Sequence, residues 1–270
     1  MTLRILICME NSGTFRRAFQ AQGHFVVSVD WLPSTDDADE LHPNGGHLMY
    51  TEVFDVVEKF PLDFFDFAIF HPTCTLHTVA AAWAFKDPDF ERYPGVGYHQ
   101  KVAEGTLTGE ARRIARDTAE AELERIRFLP IKKIIENPRG TIPTRTSYGP
   151  PIQVLQPYEH GDDASKATCI WAFDENGDPM PQLAIPVDPS LRVKGRMVEW
   201  PKGSGKLKER WANQTDSGQN NLTPGEDRWA ERSKTYPGIA RAGAQHWGNP
   251  ATWHINSTGS SRRHPVRAVG

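Results

Sequence analysis

Four stretches of this chain place reactive side chains directly behind apolar runs. FDFAIFHPTCTLHT, residues 65–78, leads an apolar segment into a polar turn that carries Cys74 behind Pro72 and Thr73. A thiol in that position is a small core residue, a metal ligand, half of a disulfide or a nucleophile. IIENPRG, residues 134–140, ends its apolar run on Glu136 and Asn137, with Arg139 close behind. That set offers an acid, an amide and a cation for binding or protonating a ring. CMENSGTF, residues 8–15, turns at Ser12 and Gly13, where the backbone can approach a ligand at a helix start. About twenty residues later, HFVVSVD ends on Asp30, a carboxylate suited to the two hydroxyls of a ribose.

The elements that must position these groups alternate. LRILIC reads as a strand, SGTFRRAFQAQG as a helix closed by Gly23, and HFVVSVD as a second strand. TEVFDVVEKF reads as a short strand or helical turn, FDFAIF as a buried parallel strand, GEARRIARDTAEAELERIRFL as the strongest helix, and IKKIIE as a further strand. The expected fold is α/β, with a mainly parallel, doubly wound sheet and a small irregular C-terminal extension. Ligands of such sheets bind outside the carboxyl ends of the strands, so a nucleoside site, the thiol and the carboxyl group would share one edge.

The segment 86–108 has no period and is too long for an ordinary connection; with His99, Lys101 and the Gly95 and Gly97 hinges it reads as a loop folding over the substrate. Beyond Gly140, proline, glycine and short apolar pieces suit loops and small antiparallel strands, followed by a polar loop and one or two helices. The expected organisation is a catalytic core over 1–140, a small substrate-recognition and core-completing region over 141–249, and a mobile tail over 250–270.

At 270 residues the chain can bury a proper core. No apolar run reaches about 18 residues and no basic-then-apolar leader is present, so we expect a cytoplasmic protein without a membrane partner. Three widely spaced cysteines, Cys8, Cys74 and Cys169, argue against a disulfide framework. The net charge of −3 conceals a split: residues 190–270 carry 14 Lys and Arg against 6 Asp and Glu, about +8, leaving about −11 for the rest. A basic face for phosphate accounts for this, and so does a solvated surface with a basic tail.

In their order, these pieces resemble the cytosine-C5 DNA methyltransferases. Over most of residues 3–249, with KATCIW, NQTDSGQNN and RSKTYPGIARA, the chain is similar to compact methyltransferase-like proteins common in bacteriophages. The resemblance implies a Rossmann-like core that binds S-adenosyl-L-methionine, or a modified form of it. Glu10, Asn11, Ser12, Gly13 and Phe15 match the cofactor turn, Asp30 with Trp31 the ribose acid, Glu52 the adenine acid, and Pro72 opens the Pro-Cys motif, where Thr73 replaces a second proline. The cofactor turn carries one glycine rather than two or three.

By the same resemblance Cys74 is the nucleophile that adds to C6 of a pyrimidine, Glu136 the acid at N3 and the exocyclic amine, and Asn137 and Arg139 position the ring or its phosphate. Thr75, His77, His99, Gln219, Arg228, Arg232 and Lys234 are the implied substrate contacts. The partner implied is DNA, single-stranded or with the base flipped out of a duplex, and a phage-encoded protein would act in its host's cytoplasm.

Other readings of the same residues stay open. His71, Cys74 and His77 have spacings a metal could use, without an evident fourth ligand. Glu136, Gly13 and Asp30 suit caps and turns, and Cys8 and Cys169 suit packing. Arg112, Arg113, Arg116, Glu120 and Glu124 suit a salt-bridged surface helix. The alternatives in function are a different one-carbon donor or a free nucleotide as substrate, and a nucleic-acid-binding protein of the same fold without catalysis.

Overall fold

Ile5, Leu6, Ile7 and Cys8 are all buried because β1 (Arg4–Cys8) lies in the middle of a sheet covered on both faces. The computed structural model describes residues 1–36, 40–50, 53–56, 60–222 and 234–253. With β1, the strands β2 (Phe25–Asp30), β3 (Leu41–His42), β4 (Gly45–Met49), β5 (Phe67–Phe70), β6 (Lys133–Pro138), β7 (Gln153–Leu155) and β8 (Thr168–Phe173) form one eight-stranded sheet. Its order is β3-β4-β2-β1-β5-β6-β8-β7. β1, β2, β4, β5 and β6 run parallel, whereas β3 opposes β4, and β8 opposes both β6 and β7. The protein is therefore α/β with a mainly parallel but mixed sheet. A separate hairpin joins β9 (Arg196–Glu199) to β10 (Leu207–Arg210).

Alternation along each strand feeds two cores. The helices are α1 (Thr14–Gln20), α2 (Gly109–Arg127), the single turn α3 (Ile142–Arg145) and α4 (Pro237–Trp247). Ile5, Ile7, Ile69 and Ile134 meet Phe15 and Phe19 of α1 and Ile239, Ala240 and Trp247 of α4. Leu6, Cys8, Phe70 and Ile135 meet Leu123 and Ile126 of α2 on the other face. Phe15 and Phe19 are one turn apart, so they share the buried stripe of α1. Lys133, fully buried in β6, donates from Nζ to the carbonyls of Arg127 (2.7 Å), Leu129 (2.8 Å) and Asp174 (2.7 Å), closing the end of α2.

Three expectations change. The helix α2 is more than a solvated, salt-bridged face, because Arg112 is buried and clamps the loops beside it. Glu120 and Glu124 of α2 hold the Arg145 guanidinium and the Ser147 backbone instead of only pairing along the helix. Of the expected mobile tail over 250–270, Pro250–Trp253 instead form a 3-10 turn, and the Trp253 ring packs edge-on against Phe67 at 5.2 Å. Residues 254–270 lie outside the described residues, as does half of TEVFDVVEKF, of which Val53–Asp55 is a 3-10 turn. Among the described residues, no helix is long and apolar enough to cross a membrane.

The buried and exposed tryptophans separate stability from binding. Trp247 has 0% of its surface exposed and Trp31 has 65%. Trp247→Ala should cost about 3–5 kcal/mol in denaturant unfolding. Trp31→Ala should stay within about 0.5 kcal/mol of wild type.

Candidate functional site

Because β1, β2, β5 and β6 are parallel, their carboxyl ends open on one edge, and the strand order reverses there between β1 and β5. A cavity of about 220 Å³ lies at this reversal. Its walls are Met9–Ser12 after β1, Asp30–Leu32 after β2, His71–Thr75 after β5 and Glu136–Pro138 at the end of β6. A second, larger cavity of about 910 Å³ adjoins it, lined by Thr78, Trp83, Gln100, Arg139, Ser165 and the Asn213, Asn220 and Asn221 amides among others. Cys74, Thr75, Pro138, Lys166, Lys234 and Thr235 line both. The thiol thus stands where the two spaces meet.

The turn bearing Cys74 is held from three sides. Its own carbonyl accepts from the amides of His77 (3.0 Å) and Thr78 (2.9 Å). The segment after β6 supports it, with the Thr141 amide donating to the His77 carbonyl at 2.9 Å. That contact needs Gly140, since a Cβ there would lie 2.1 Å from the His77 oxygen. From α2, Arg112 donates to the Thr75 carbonyl and, at 3.2 Å, to that of Leu107, with its guanidinium 4.8 Å above the Phe85 ring. Neighbouring Arg113 donates to the Phe85 carbonyl at 2.8 Å and pairs with Asp87. Both arginines therefore pin the segment 86–108 at its ends.

Glu136 is buried and its carboxylate accepts from His71 Nδ1 at 2.8 Å. Burial pushes the carboxyl up, but the His71 hydrogen bond and charge, the Lys166 ammonium and the Thr168 hydroxyl together bring it below its ordinary value. Asn137 Nδ2 donates to the Pro72 carbonyl at 2.7 Å. Asp30 accepts from the Leu32 amide at 3.0 Å, and burial, the largest influence, holds its carboxyl above the usual range. Glu10 is also buried; it accepts from the Phe15 amide at 2.7 Å and from Ser12 Oγ at 3.3 Å. None of the three cysteines is in a disulfide, and burial pushes the thiols of Cys8 and Cys169 up. Cys74 alone of the three is part-exposed and borders a cavity.

Of the residues singled out in the sequence, Glu10, Asn11, Ser12, Asp30, Trp31, Pro72, Cys74, Thr75, Glu136, Asn137 and Lys234 line the narrow cavity, and Arg139 lines the larger one. Several others stand elsewhere. Phe15 is fully buried between His71, at 5.3 Å, and Trp247, at 5.8 Å, and Gly13 is buried behind the turn. His77 is buried and lines neither cavity; Glu120, Arg116 and Arg145 are the charges that face it. His99 is exposed and packs edge-on against Trp83 at 5.6 Å, one ring removed from the larger cavity. Gln219 is exposed in a turn closed by Thr215, while its neighbours Asn220 and Asn221 reach the wall. Glu52, Arg228 and Arg232 lie outside the described residues. Among the described residues, no three His, Cys, Asp or Glu side chains are grouped to hold a metal, and His71 is engaged by Glu136.

Three contributors were not read from the sequence in these roles. His71 stands next to Pro72, a visible position whose partner is 65 residues away. Lys166 reaches the site because β8 is reversed, which puts the residues before that strand at the same edge as the ends of the parallel ones. Asn213 exchanges hydrogen bonds with the Ser165 backbone at 2.9 and 3.0 Å and donates to Tyr236 Oη at 3.1 Å, tying three segments of the larger wall together. No protein-family model matches the chain, and no curated protein matches it.

The His71–Glu136 pair sets a pH test. A carboxyl depressed in the folded state adds stability above its unfolded pKa and loses it as pH falls through the folded value. His71→Ala removes the hydrogen bond and leaves burial to push Glu136 up. The variant should lose about 1–3 kcal/mol at pH 7, measured by denaturant unfolding. The gap to wild type should close in acid, once Glu136 is protonated in both. A gap independent of pH would assign the loss to packing of His71 on Phe15 alone.

Proposed function

We propose that the chain is an S-adenosylmethionine-dependent methyltransferase acting at C5 of cytosine in DNA, with Cys74 as nucleophile. The observation that carries this reading is the position of Cys74 between a narrow, carboxylate-walled cavity and a wider, amide-walled one, with Glu136 buried beside it. The order of the parallel strands, β4-β2-β1-β5-β6, with helices on both faces, supports a doubly wound, Rossmann-like core.

The narrow cavity fits the proposed cofactor in charge. Glu10 and Asp30 stand on its wall beside the exposed Trp31, so a cation with ribose hydroxyls and an aromatic base suits it better than a nucleoside phosphate. When bound, S-adenosylmethionine supplies an electrophilic methyl group. Asp30 would hold the ribose hydroxyls and Trp31 the adenine face.

The target base would enter through the larger cavity as far as its junction with the narrow one, where Cys74 borders both spaces and Glu136 stands on the narrow cavity's wall. The Cys74 thiolate adds to C6, and the displaced ring electrons make C5 a nucleophile. Glu136 accepts from the exocyclic amine and relays to N3 a proton taken up from solvent as the base binds, assistance worth typically about 100- to 10,000-fold. His71 holds that carboxyl in place. Lys166, Lys234 and Arg139 line the space through which a nucleotide's phosphates would approach. Loss of the C5 proton to solvent, return of the N3 proton and expulsion of the thiolate then restore the ring. The segment 86–108, which reaches the larger cavity through Gln100, would cover the bound base.

Asp30 separates cofactor binding from folding. Its charge is disfavoured by burial, so Asp30→Asn should fold at least as well as wild type at pH 7. It should bind S-adenosylmethionine more weakly by about 1.5–3 kcal/mol for each charge-assisted hydrogen bond lost, read by calorimetry. Unchanged affinity would remove Asp30 from the site.

The nucleophile is tested by trapping. Fluorine at C5 blocks the proton loss that releases the enzyme, so DNA containing 5-fluorocytosine, given with S-adenosylmethionine, should leave a complex stable to denaturing electrophoresis. Cys74→Ser should abolish it, and Cys8→Ser and Cys169→Ser should not. Trapping that survives Cys74→Ser would disprove the assignment. Nucleoside mass spectrometry of DNA from expressing cells should show one methyl group added to deoxycytidine.

A further inference from the structure

The β9–β10 hairpin stands apart from the main sheet and sorts its side chains by face. The register pairs Arg196 with Arg210 and Val198 with Lys208, and the Trp200 amide continues the ladder to the Lys206 carbonyl. Residues directly opposite, and those two apart, share a face. One face therefore carries Arg196, Val198, Trp200, Lys206, Lys208 and Arg210. The other carries Met197, Glu199, Leu207 and Glu209. Both carboxylates of that second face are used within the hairpin's own frame: Glu209 accepts from Arg192 and from the Gly195 amide, and Glu199 from the Gly205 amide.

Residues 192–210 hold seven Lys and Arg against two Glu. Among the described residues, no carboxylate pairs with Lys202, Lys206 or Lys208, all of which are exposed. Trp200 is 39% exposed on the same face as Lys206 and Lys208. A basic face with an exposed aromatic ring beside it offers a polyanion both charge and a stacking surface.

The root of the hairpin runs into the wall of the larger cavity. Arg196 pairs with Asp216 at 2.6 Å and donates to the Gln214 carbonyl at 3.0 Å, and Arg210 Nε donates to the Asp216 carbonyl at 3.0 Å. The same loop supplies Asn213, Asn220 and Asn221 to that cavity. The two arginines are thus spent as anchors, and Lys206 and Lys208 remain for a partner.

We propose that this face of the β9–β10 hairpin docks duplex DNA, bearing on its phosphates while the loop 213–221 presents the cavity to the base being modified. A two-stranded ribbon is a width that the major groove admits. The inference rests on the reading of a DNA base as the substrate, but it makes a separate demand: binding of the duplex itself.

The test is the salt dependence of binding to a fluorescein-labelled DNA duplex, followed by anisotropy, for wild type and Lys206→Ala/Lys208→Ala. Two lost phosphate contacts should reduce the log–log salt slope by about 1.8, at about 0.9 per contact, with the thermal midpoint unchanged. Trp200→Ala should lower affinity several-fold at every salt concentration and leave the slope alone. The control Arg125→Ala/Lys132→Ala removes the same charge from elsewhere and should keep the wild-type slope. A folded Lys206→Ala/Lys208→Ala protein with the wild-type slope, or an equal drop in the control, overturns the proposal. So does a wild type that fails to bind duplex at low salt, including one that binds only single strands or anionic lipid vesicles. Calorimetry with S-adenosylmethionine on the same preparations reports on the cofactor site independently, so failure of the hairpin and failure of the methyltransferase reading remain distinguishable.

Discussion

Two hydrogen bonds across the ends of β5 and β6 carry the geometry of the site: His71 to Glu136 at 2.8 Å and Asn137 to the Pro72 carbonyl at 2.7 Å. They clamp the turn that bears Cys74 against the strand that bears the acid. Behind them runs a stack of rings, Trp247 on Phe15 and Phe15 on His71, so the position of the carboxylate depends on how α4 packs on α1. Among the described residues, His71 Nε2 and Asn137 Oδ1 are buried without a hydrogen-bond partner, although both residues line the narrow cavity. Such atoms cost about 1–3 kcal/mol each when left unpaired. A ligand that satisfied them would recover part of that cost.

Charge is divided by task. The carboxylates of Glu10, Asp30 and Glu136 share the narrow cavity, and the lysines 166 and 234 stand where it joins the larger one. Farther out, the hairpin segment holds seven of the 14 cations counted beyond residue 189. A uniform net charge of −3 would describe neither end. The division suits a small cationic ligand inside and a polyanion outside, the combination that the proposed reaction requires.

Strands and their order along the chain were legible because unbroken β-branched and aromatic runs have few alternatives in a two-sided core, and Cys74, Glu136 and Asp30 were legible as candidates because each stands at the end of such a run or within four residues of it. Pairing was not. The reversal of β8, which brings Lys166 to the edge, depends on contacts between residues far apart, and nothing local in KATCIWAF distinguishes its two directions. Arg112 misled for a related reason: its spacing from Arg116 and Glu120 is that of a solvated helix face, and only the fold reveals loop carbonyls beside it. Phe15 and His77 misled by adjacency, since residues beside a turn need not face the same way as the turn.

The turn between β1 and α1 carries a single glycine, Gly13. Turns that cradle phosphate need glycines so that successive amides can face the anion. Here Met9 and Gly13 both take left-handed backbone, each with φ of 63°, and the Glu10 side chain between them accepts the Phe15 amide. A Cβ on Gly13 would meet only the movable side-chain ends of Arg16, Arg17 and Asp36, so it is the left-handed backbone that favours glycine there. The amide at the start of α1 is therefore already occupied by a carboxylate of the chain. An incoming phosphate would meet that negative charge at close range, whereas a sulfonium or ammonium would be attracted by it. In charge, the turn suits a cation better than a nucleoside phosphate, which agrees with the cofactor proposed for the narrow cavity.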